Sequence, residues 1–186
     1  MTKAQAVILH IVKRLGTPVH STALVKLTYL ADYLYSENFG ANLTGFEYMW
    51  DHFGPNAVGH AIISEAQKLA QEGELRSFQE PNIYGTFSQK FRLPDDAELP
   101  PLEPDEEMVV ADVIAKFGGL TLTSLVAASK RTAPFQTARQ YERLVLPRMR
   151  RVETTTGEDA AAFRQSLDRY GTQSLDDVRS ELGLAN

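Results

Sequence analysis

The segment from Lys26 to Pro55 constrains the fold most, because its first half has the residue spacing of a helix and its second half does not. Its first half lies within a run of apolar residues at helical spacing, which comprises Leu24, Leu27, Leu30, Ala31 and Leu34. Gly40 predicts the end of that helix, and residues 41–53 are typical of a loop or a short extended segment. A Phe-Gly-Pro turn then closes the segment. Pro55 predicts the start of a third helix, because the first turn of a helix tolerates its missing N–H.

Apolar residues at helical spacing also occur on both sides of this segment. A first helix is predicted by Ala4, Val7, Ile8, Ile11, Val12 and Leu15, and the third by Val58, Ala61, Ile62, Ala66 and Leu69. Two short runs, 75–78 and 86–93, are separated by turn-forming residues and predict a β-hairpin. The later part of the chain predicts further helices after Pro104, over 122–126, from Thr132 to Pro147, over 159–170 and from Ser174. We therefore predict a mostly α fold.

The predicted organisation is a single helical domain with a small β-hairpin, followed by a C-terminal helical extension. The domain covers residues 1–146 and the extension covers 147–186. Residues 94–104 contain four prolines and several acids, so we interpret them as a linker or a surface strap within the domain.

Charge is distributed unevenly along a chain whose net charge is −5. Acidic residues gather without any base at Asp95, Asp96, Glu98, Glu103, Asp105, Glu106 and Glu107. Basic residues gather further on, at Lys130, Arg131, Arg139, Arg143, Arg148, Arg150 and Arg151. The basic set either forms a solvated face or steers an acidic protein or nucleic acid towards this surface.

Several kinds of chemistry have no support in the sequence. The chain has no cysteine, which excludes disulfides, a thiol nucleophile and thiolate metal sites. Its four histidines lack a metal-binding spacing, and no nucleotide-binding or hydrolase motif is present. We predict no enzymatic activity, no cofactor and no metal. With neither a signal peptide nor an apolar run of membrane-spanning length, we expect a cytoplasmic protein with no membrane partner.

Aromatic residues are dense after the second helix, at Phe46, Tyr48, Trp50 and Phe53. The first three alternate with period two, as in a short strand with one buried face. These rings either pack into the core beneath a loop or remain exposed as anchors for a protein partner, because Tyr and Trp are frequent in interface hot spots.

The order of several short motifs resembles the Panacea, or SocA-like, antitoxin family. The first pieces are K-L-x-Y-L-A-D at Lys26–Asp32, F-G at Phe39–Gly40, L-T-G-x-x-Y at Leu43–Tyr48 and F-G-P at Phe53–Pro55. A later motif, G-x-x-T-x-x-x-L, follows at Gly118, Thr121 and Leu125, and Pro134-Phe135 is found where the family usually has Pro-Trp. The resemblance covers roughly residues 5–140, and its structural motif residues are Lys26, Tyr29, Asp32, Gly45, Gly54 and Pro55.

This resemblance implies an antitoxin that neutralises a protein toxin, encoded by an adjacent gene, through direct binding. One branch of the family delivers its toxin for degradation, so a protease chaperone is a further possible partner. The expected partner surfaces are the aromatic segment 46–53, the basic residues from Arg139 to Arg151, and the C-terminal helices. A DNA-binding (auto)regulator and a phage-associated protease adaptor remain alternative functions, although an isoelectric point near 5.4 disfavours nucleic acid. The oligomeric state stays open.

Overall fold

The computed structural model describes residues 1–81 and 87–147. In chain order the described elements are α1 (Lys3–Leu15), β1 (Val19–His20), α2 (Ser21–Phe39), β2 (Tyr48–Met49), β3 (Asn56–Ala57), a 3₁₀ turn (Val58–His60), α3 (Ala61–Gln71), β4 (Arg76–Pro81), β5 (Phe87–Arg92), α4 (Pro104–Phe117), α5 (Leu122–Lys130), α6 (Ala133–Thr137) and β6 (Arg143–Leu144).

Helix α2 is the centre of the structure. Every residue from Leu24 to Leu34 on this helix is buried, because α1, α3, α4 and α5 all pack around it. A helix buried on all sides explains why polar residues such as Thr28 and Asp32 lie within its apolar run and must find partners inside the protein.

The strands of residues 1–81 and 87–147 form two small antiparallel sheets. In the first, the strand order is β1-β5-β4, and Phe91 of β5 is fully buried beneath the helices. In the second, the order is β3-β2-β6, with Tyr48 of β2 opposite both Ala57 and Leu144. This second sheet ties the segment after α2 to the end of the described chain.

The predicted fold class, a mostly α domain with a single small hairpin, is wrong. The fold is mixed α and β: about 52% of the described residues are helical and 14% lie in strands. Four of the six strands in the described part of the chain are only two residues long. Such strands are too short to show an alternating pattern, and each is held by partners far away in the sequence.

Two predicted helices also differ from the structure. Pro55 does not open α3, because the chain first forms β3 and the 3₁₀ turn, and α3 begins at Ala61. The helix predicted from Thr132 to Pro147 ends already at Thr137. Tyr141 then takes a left-handed φ of 64°, and the following residues pair with β2 as strand β6.

The acidic, Pro-rich segment 94–104 lies against the helices. The carbonyl of Pro100 is 2.8 Å from Nε2 of His10 on α1, and Leu99 and Leu102 pack against the core. Pro104 then opens α4. The predicted C-terminal helical extension, with its helices over 159–170 and from Ser174, lies outside the described residues. Among the described helices, none combines the length and the apolar character needed to cross a bilayer.

Candidate functional site

Asp32 on α2 is the centre of a buried polar network. Its Oδ1 accepts a hydrogen bond from the Thr44 backbone N–H at 2.7 Å. Its Oδ2 accepts from the hydroxyls of Thr44 and Tyr48, each at 2.5 Å. Asp32 and Tyr48 are both buried, so these bonds fasten the segment after α2 to the central helix.

The environment of this network sets its protonation. Burial raises the pKa of Asp32 to about 6, although the hydrogen bonds from Thr44 and Tyr48 act in the opposite direction. Burial, together with the neighbouring Asp32 carboxylate, raises the pKa of Tyr48 well above its usual value. The Tyr48 hydroxyl therefore stays protonated and remains the hydrogen-bond donor in this pair.

Tyr29 extends the network from α2 to the junction of α5 and α6. Its hydroxyl lies 2.5 Å from Oγ1 of Thr132, and that Thr132 hydroxyl itself donates to the Ser129 carbonyl at 3.0 Å. Tyr29 is therefore the donor in the first bond. Its ring also meets the Tyr48 ring edge to face at a centroid distance of 5.0 Å.

Lys26 holds the turn at Gly54 and Pro55. Its Nζ donates to the Pro55 carbonyl at 2.6 Å, and the residue is buried. Burial lowers the pKa of Lys26 to about 8, with Asp51 opposing this effect and Lys130 adding to it. The turn itself requires glycine, because Gly54 has φ of 89° and an added Cβ would lie 3.0 Å from the Ser129 hydroxyl.

A groove of about 820 Å³ opens beside this turn, and we call it the Phe53 groove. It lies between the start of α2, the 51–56 segment, α3 and α5. Its apolar lining is Val25, Phe53, Ile63, Leu122 and Val126. Lys26 and Asp51 are among its polar residues. The Phe53 side chain is 69% exposed and that of Leu122 is 39% exposed, so the groove presents apolar surface to its surroundings.

The four predicted aromatic residues have different surroundings. Tyr48 is 1% exposed and belongs to the core. Phe46 and Trp50 are half-buried, and Trp50 stacks on Phe135 with a centroid distance of 5.1 Å. Phe53 alone of this set is exposed, and it lines the groove.

The predicted basic residues are only partly described. Arg139 and Arg143 are exposed, and Nη1 of Arg143 lies 2.8 Å from a carboxylate oxygen of Glu47. Arg143 and Phe46 come together at a second, smaller cleft of about 380 Å³. The other predicted members, Arg148, Arg150 and Arg151, lie outside the described residues.

The remaining predicted motif residue, Gly45, lies in the turn that follows Thr44. It has φ of 80° and is exposed, with nothing within 4 Å of an added Cβ. A left-handed turn conformation, and not close packing, is therefore what favours glycine at this position.

Sequence reasoning missed the contribution of α3 and α5 to the groove. Ile63, Leu122 and Val126 lie in helices, and the sequence does not indicate which residues of other elements they contact. Only the fold brings them beside Phe53. Within residues 1–81 and 87–147, no group of three or more His, Asp or Glu side chains is placed to hold a metal ion.

A search of curated proteins and a search of solved structures each found no match. The model of one protein family does match, and its description is "Antitoxin SocA-like, Panacea domain". The match spans residues 24–135, which is more than half of the 186-residue chain. It includes Lys26, Tyr29, Asp32 and Gly54, whose side chains or backbone build the buried network and the turn beside the groove. The chain therefore belongs to the SocA-like Panacea antitoxin domain family.

Proposed function

We propose that this protein is an antitoxin that binds a protein toxin directly and that the Phe53 groove is the surface that binds it. The partner is a protein encoded by an adjacent gene, and the bound segment is apolar, with at least one side chain inserted beside Phe53. Membership of an antitoxin family supports the functional class. The adjacent gene is what the family resemblance implies, and the apolar character of the bound segment rests on the chemistry of the groove.

The observation that carries the proposal is the exposure of Phe53 on a rigidly held turn. An exposed aromatic side chain on a mobile loop would lose conformational entropy on binding, which weakens an interface. Here Gly54 packs against Ser129, and Lys26 binds the Pro55 carbonyl, so the turn is already fixed. Phe53 is therefore preorganised as an anchor, in the manner of an interface hot spot.

The surroundings of Phe53 favour a protein over a nucleic acid. Five apolar side chains of the groove lie beside mostly uncharged polar ones, and Lys26, the one lysine among the described lining residues, is buried and already bonded to a carbonyl. A nucleic-acid site needs several accessible cations to hold the phosphate backbone. An apolar segment of a protein instead gains free energy by covering Phe53, Leu122 and Val126.

A paired substitution tests this assignment. We expect Phe53→Ala to weaken binding of the purified product of the adjacent gene by at least tenfold, because a hot-spot aromatic contributes about 2 kcal/mol or more. Phe87→Ala is the matched control, since Phe87 is also an exposed phenylalanine, at 67%, but lies on β5 and does not line the groove. Titration calorimetry measures both variants. Equal affinity of Phe53→Ala and wild type would refute the groove as the binding surface.

The basic residues Arg139 and Arg143, together with Arg148, Arg150 and Arg151, remain a second candidate surface on the same protein. The exposed ion pair of Arg143 with Glu47 contributes little to stability, so Arg143 can be changed without loss of the fold. Charge reversal of Arg148, Arg150 and Arg151 should weaken toxin binding if these residues steer an acidic partner. Unchanged binding would assign them to a solvated face.

The proposal for the chain as a whole is an antitoxin domain over residues 1–146 and a C-terminal extension over 147–186. Blocking of the toxin and delivery of the toxin to a protease are separable outcomes. The toxin's half-life in cells, with and without this protein, distinguishes them: blocking leaves the half-life unchanged, and delivery shortens it.

A further inference from the structure

Strand β4 has one edge without a partner strand in the described part of the chain. All six of its residues, Arg76–Pro81, pair with β5, and β5 pairs with β1 on its other side. Within residues 1–81 and 87–147, no strand lies against the opposite edge of β4. Such an edge presents backbone N–H and C=O groups that can accept another strand.

The sequence of β4 is complementary to itself in the antiparallel direction. When two copies pair with Phe78 opposite Phe78, Arg76 of each copy stands opposite Glu80 of the other. Ser77 stands opposite Gln79 in the same register. Moving the register by two residues in either direction places Arg76 or Glu80 opposite Phe78 instead. The register centred on Phe78 is therefore the one that aligns opposite charges on both sides.

A like-charge contact within each copy favours the same arrangement. Arg76 stands directly opposite Arg92 on β5, and both side chains are exposed. Among the described residues neither arginine takes part in an ion pair. Like charges directly opposite each other destabilise a sheet, and a carboxylate placed beside them removes that penalty. In the register centred on Phe78, Glu80 of the second copy arrives at this position, where its carboxylate would contact Arg76 in addition to Lys90 of its own copy, whose Nζ lies 2.5 Å from Oε2 of Glu80.

The last residue of β4 and the buried residue just before the strand also fit this register. It places Pro81 of one copy opposite Leu75 of the other. Leu75 borders a cleft of about 720 Å³ between β4 and the end of α3, which Ala70 also lines. The proline ring of the second copy would cover part of this cleft.

We propose that two copies of this chain associate through β4, antiparallel and centred on Phe78, to form one continuous six-stranded sheet. The contact is isologous, because each copy contributes the same strand and each Arg76–Glu80 pair occurs twice. It lies on β4 and leaves the residues of the Phe53 groove uncovered, so dimerisation and toxin binding are separable.

The lack of cysteine in the chain allows a direct test of the register. Phe78→Cys places two thiols directly opposite each other at the centre of the contact, the closest approach that side chains of antiparallel strands have. Ser77→Cys is the matched control, because position 77 faces position 79 and not itself. Under mild oxidation of the full chain, we expect a covalent dimer from Phe78→Cys and none from Ser77→Cys. Equal cross-linking of the two variants would overturn the proposal.

Charge exchange gives a second test that does not depend on a new thiol. Arg76→Glu alone and Glu80→Arg alone each place like charges opposite each other in a homodimer, whereas a mixture of the two variants restores both pairs. Sedimentation should show wild type at twice its 20.7 kDa mass, each single variant with at least tenfold weaker self-association, and a heterodimer in the mixture. Exposed Lys13→Glu, on α1, controls for the change in net charge. A monomeric wild type, or a mixture that fails to pair, would refute the interface.

Discussion

The buried carboxyl of Asp32 makes a specific prediction about how stability depends on pH. Asp32→Asn keeps the size and shape of the side chain and removes the group that titrates. The amide oxygen can still accept from the Thr44 N–H, and the hydroxyls of Thr44 and Tyr48 can rotate to accept from the amide nitrogen. Any loss from imperfect hydrogen bonding is the same at every pH, whereas the effect of the charge is not.

The direction of the pH effect follows from the two pKa values. The pKa of Asp32 is about 6 in the folded protein, against 3.8 for the unperturbed group. The folded protein therefore binds this proton more tightly, and the stability it contributes is fully present below pH 3.8 and is lost as the pH rises through 6. A difference of about two pKa units corresponds to about 3 kcal/mol.

Urea unfolding at several pH values measures this effect, with the fluorescence of the single tryptophan, Trp50, as the signal. Taking the difference between variant and wild type cancels the contributions of the other carboxylates. From about pH 4 to about pH 7, we expect Asp32→Asn to gain up to about 3 kcal/mol relative to wild type. The exposed control Asp95→Asn should change by less than about 0.5 kcal/mol. If the Asp32→Asn difference stays constant over this range, the carboxyl does not titrate as a buried group and the reasoning fails.

Three further changes test the contacts around the groove. Gly54→Ala should cost at least about 1 kcal/mol more than Gly45→Ala in urea unfolding, because both have positive φ but only Gly54 lacks space for a Cβ; equal losses would contradict the close packing of the turn. Lys26→Met removes a lysine whose pKa is lowered to about 8 from 10.5, so between these pH values the folded protein has lost a proton that the unfolded chain keeps. The free energy of unfolding of wild type should therefore rise by up to about 3 kcal/mol relative to the variant from pH 8 to pH 10.5. If this difference does not change with pH, the ammonium is solvated. Tyr29→Phe should destabilise the protein by about 1 kcal/mol through loss of the hydrogen bond to Thr132, and thermal unfolding would reveal no shift if that bond were absent.

Much of the helical part of the fold could be predicted from the sequence. The apolar spacing in α1 and α2 reflects a regular local structure, and Gly40 does terminate α2. The antiparallel pairing of β4 and β5 was also predicted, because both strands are long enough to show their pattern, but β4 extends to Pro81, which had been assigned to the turn.

The second sheet could not be predicted, because its strands depend on partners distant in the chain. Tyr48 pairs with Leu144, which lies almost one hundred residues further along, and no local pattern indicates that contact. The basic residues Arg139 and Arg143 were expected to share a helix, because the contact of their segment with β2 also gave no local signal. Their segment has helical composition, but pairing with β2 and the left-handed Tyr141 override it.

The candidate site was predictable only in its local part. The motif residues Lys26, Tyr29 and Asp32 stood out by their order, yet their roles depend on Pro55, Thr132 and Thr44, which the fold brings to them. Phe53 was identified as a candidate anchor, but no local sequence pattern predicted that residues of α3 and α5 would line a groove beside it.

Growth of cells that express the adjacent gene from an inducible promoter tests the central claim most directly. Wild type, Phe53→Ala and Phe87→Ala are co-expressed at equal levels with that gene. The account predicts that the gene product arrests growth, that wild type and Phe87→Ala restore it, and that Phe53→Ala does not. A harmless gene product, or full rescue by Phe53→Ala, would contradict neutralisation through the Phe53 groove.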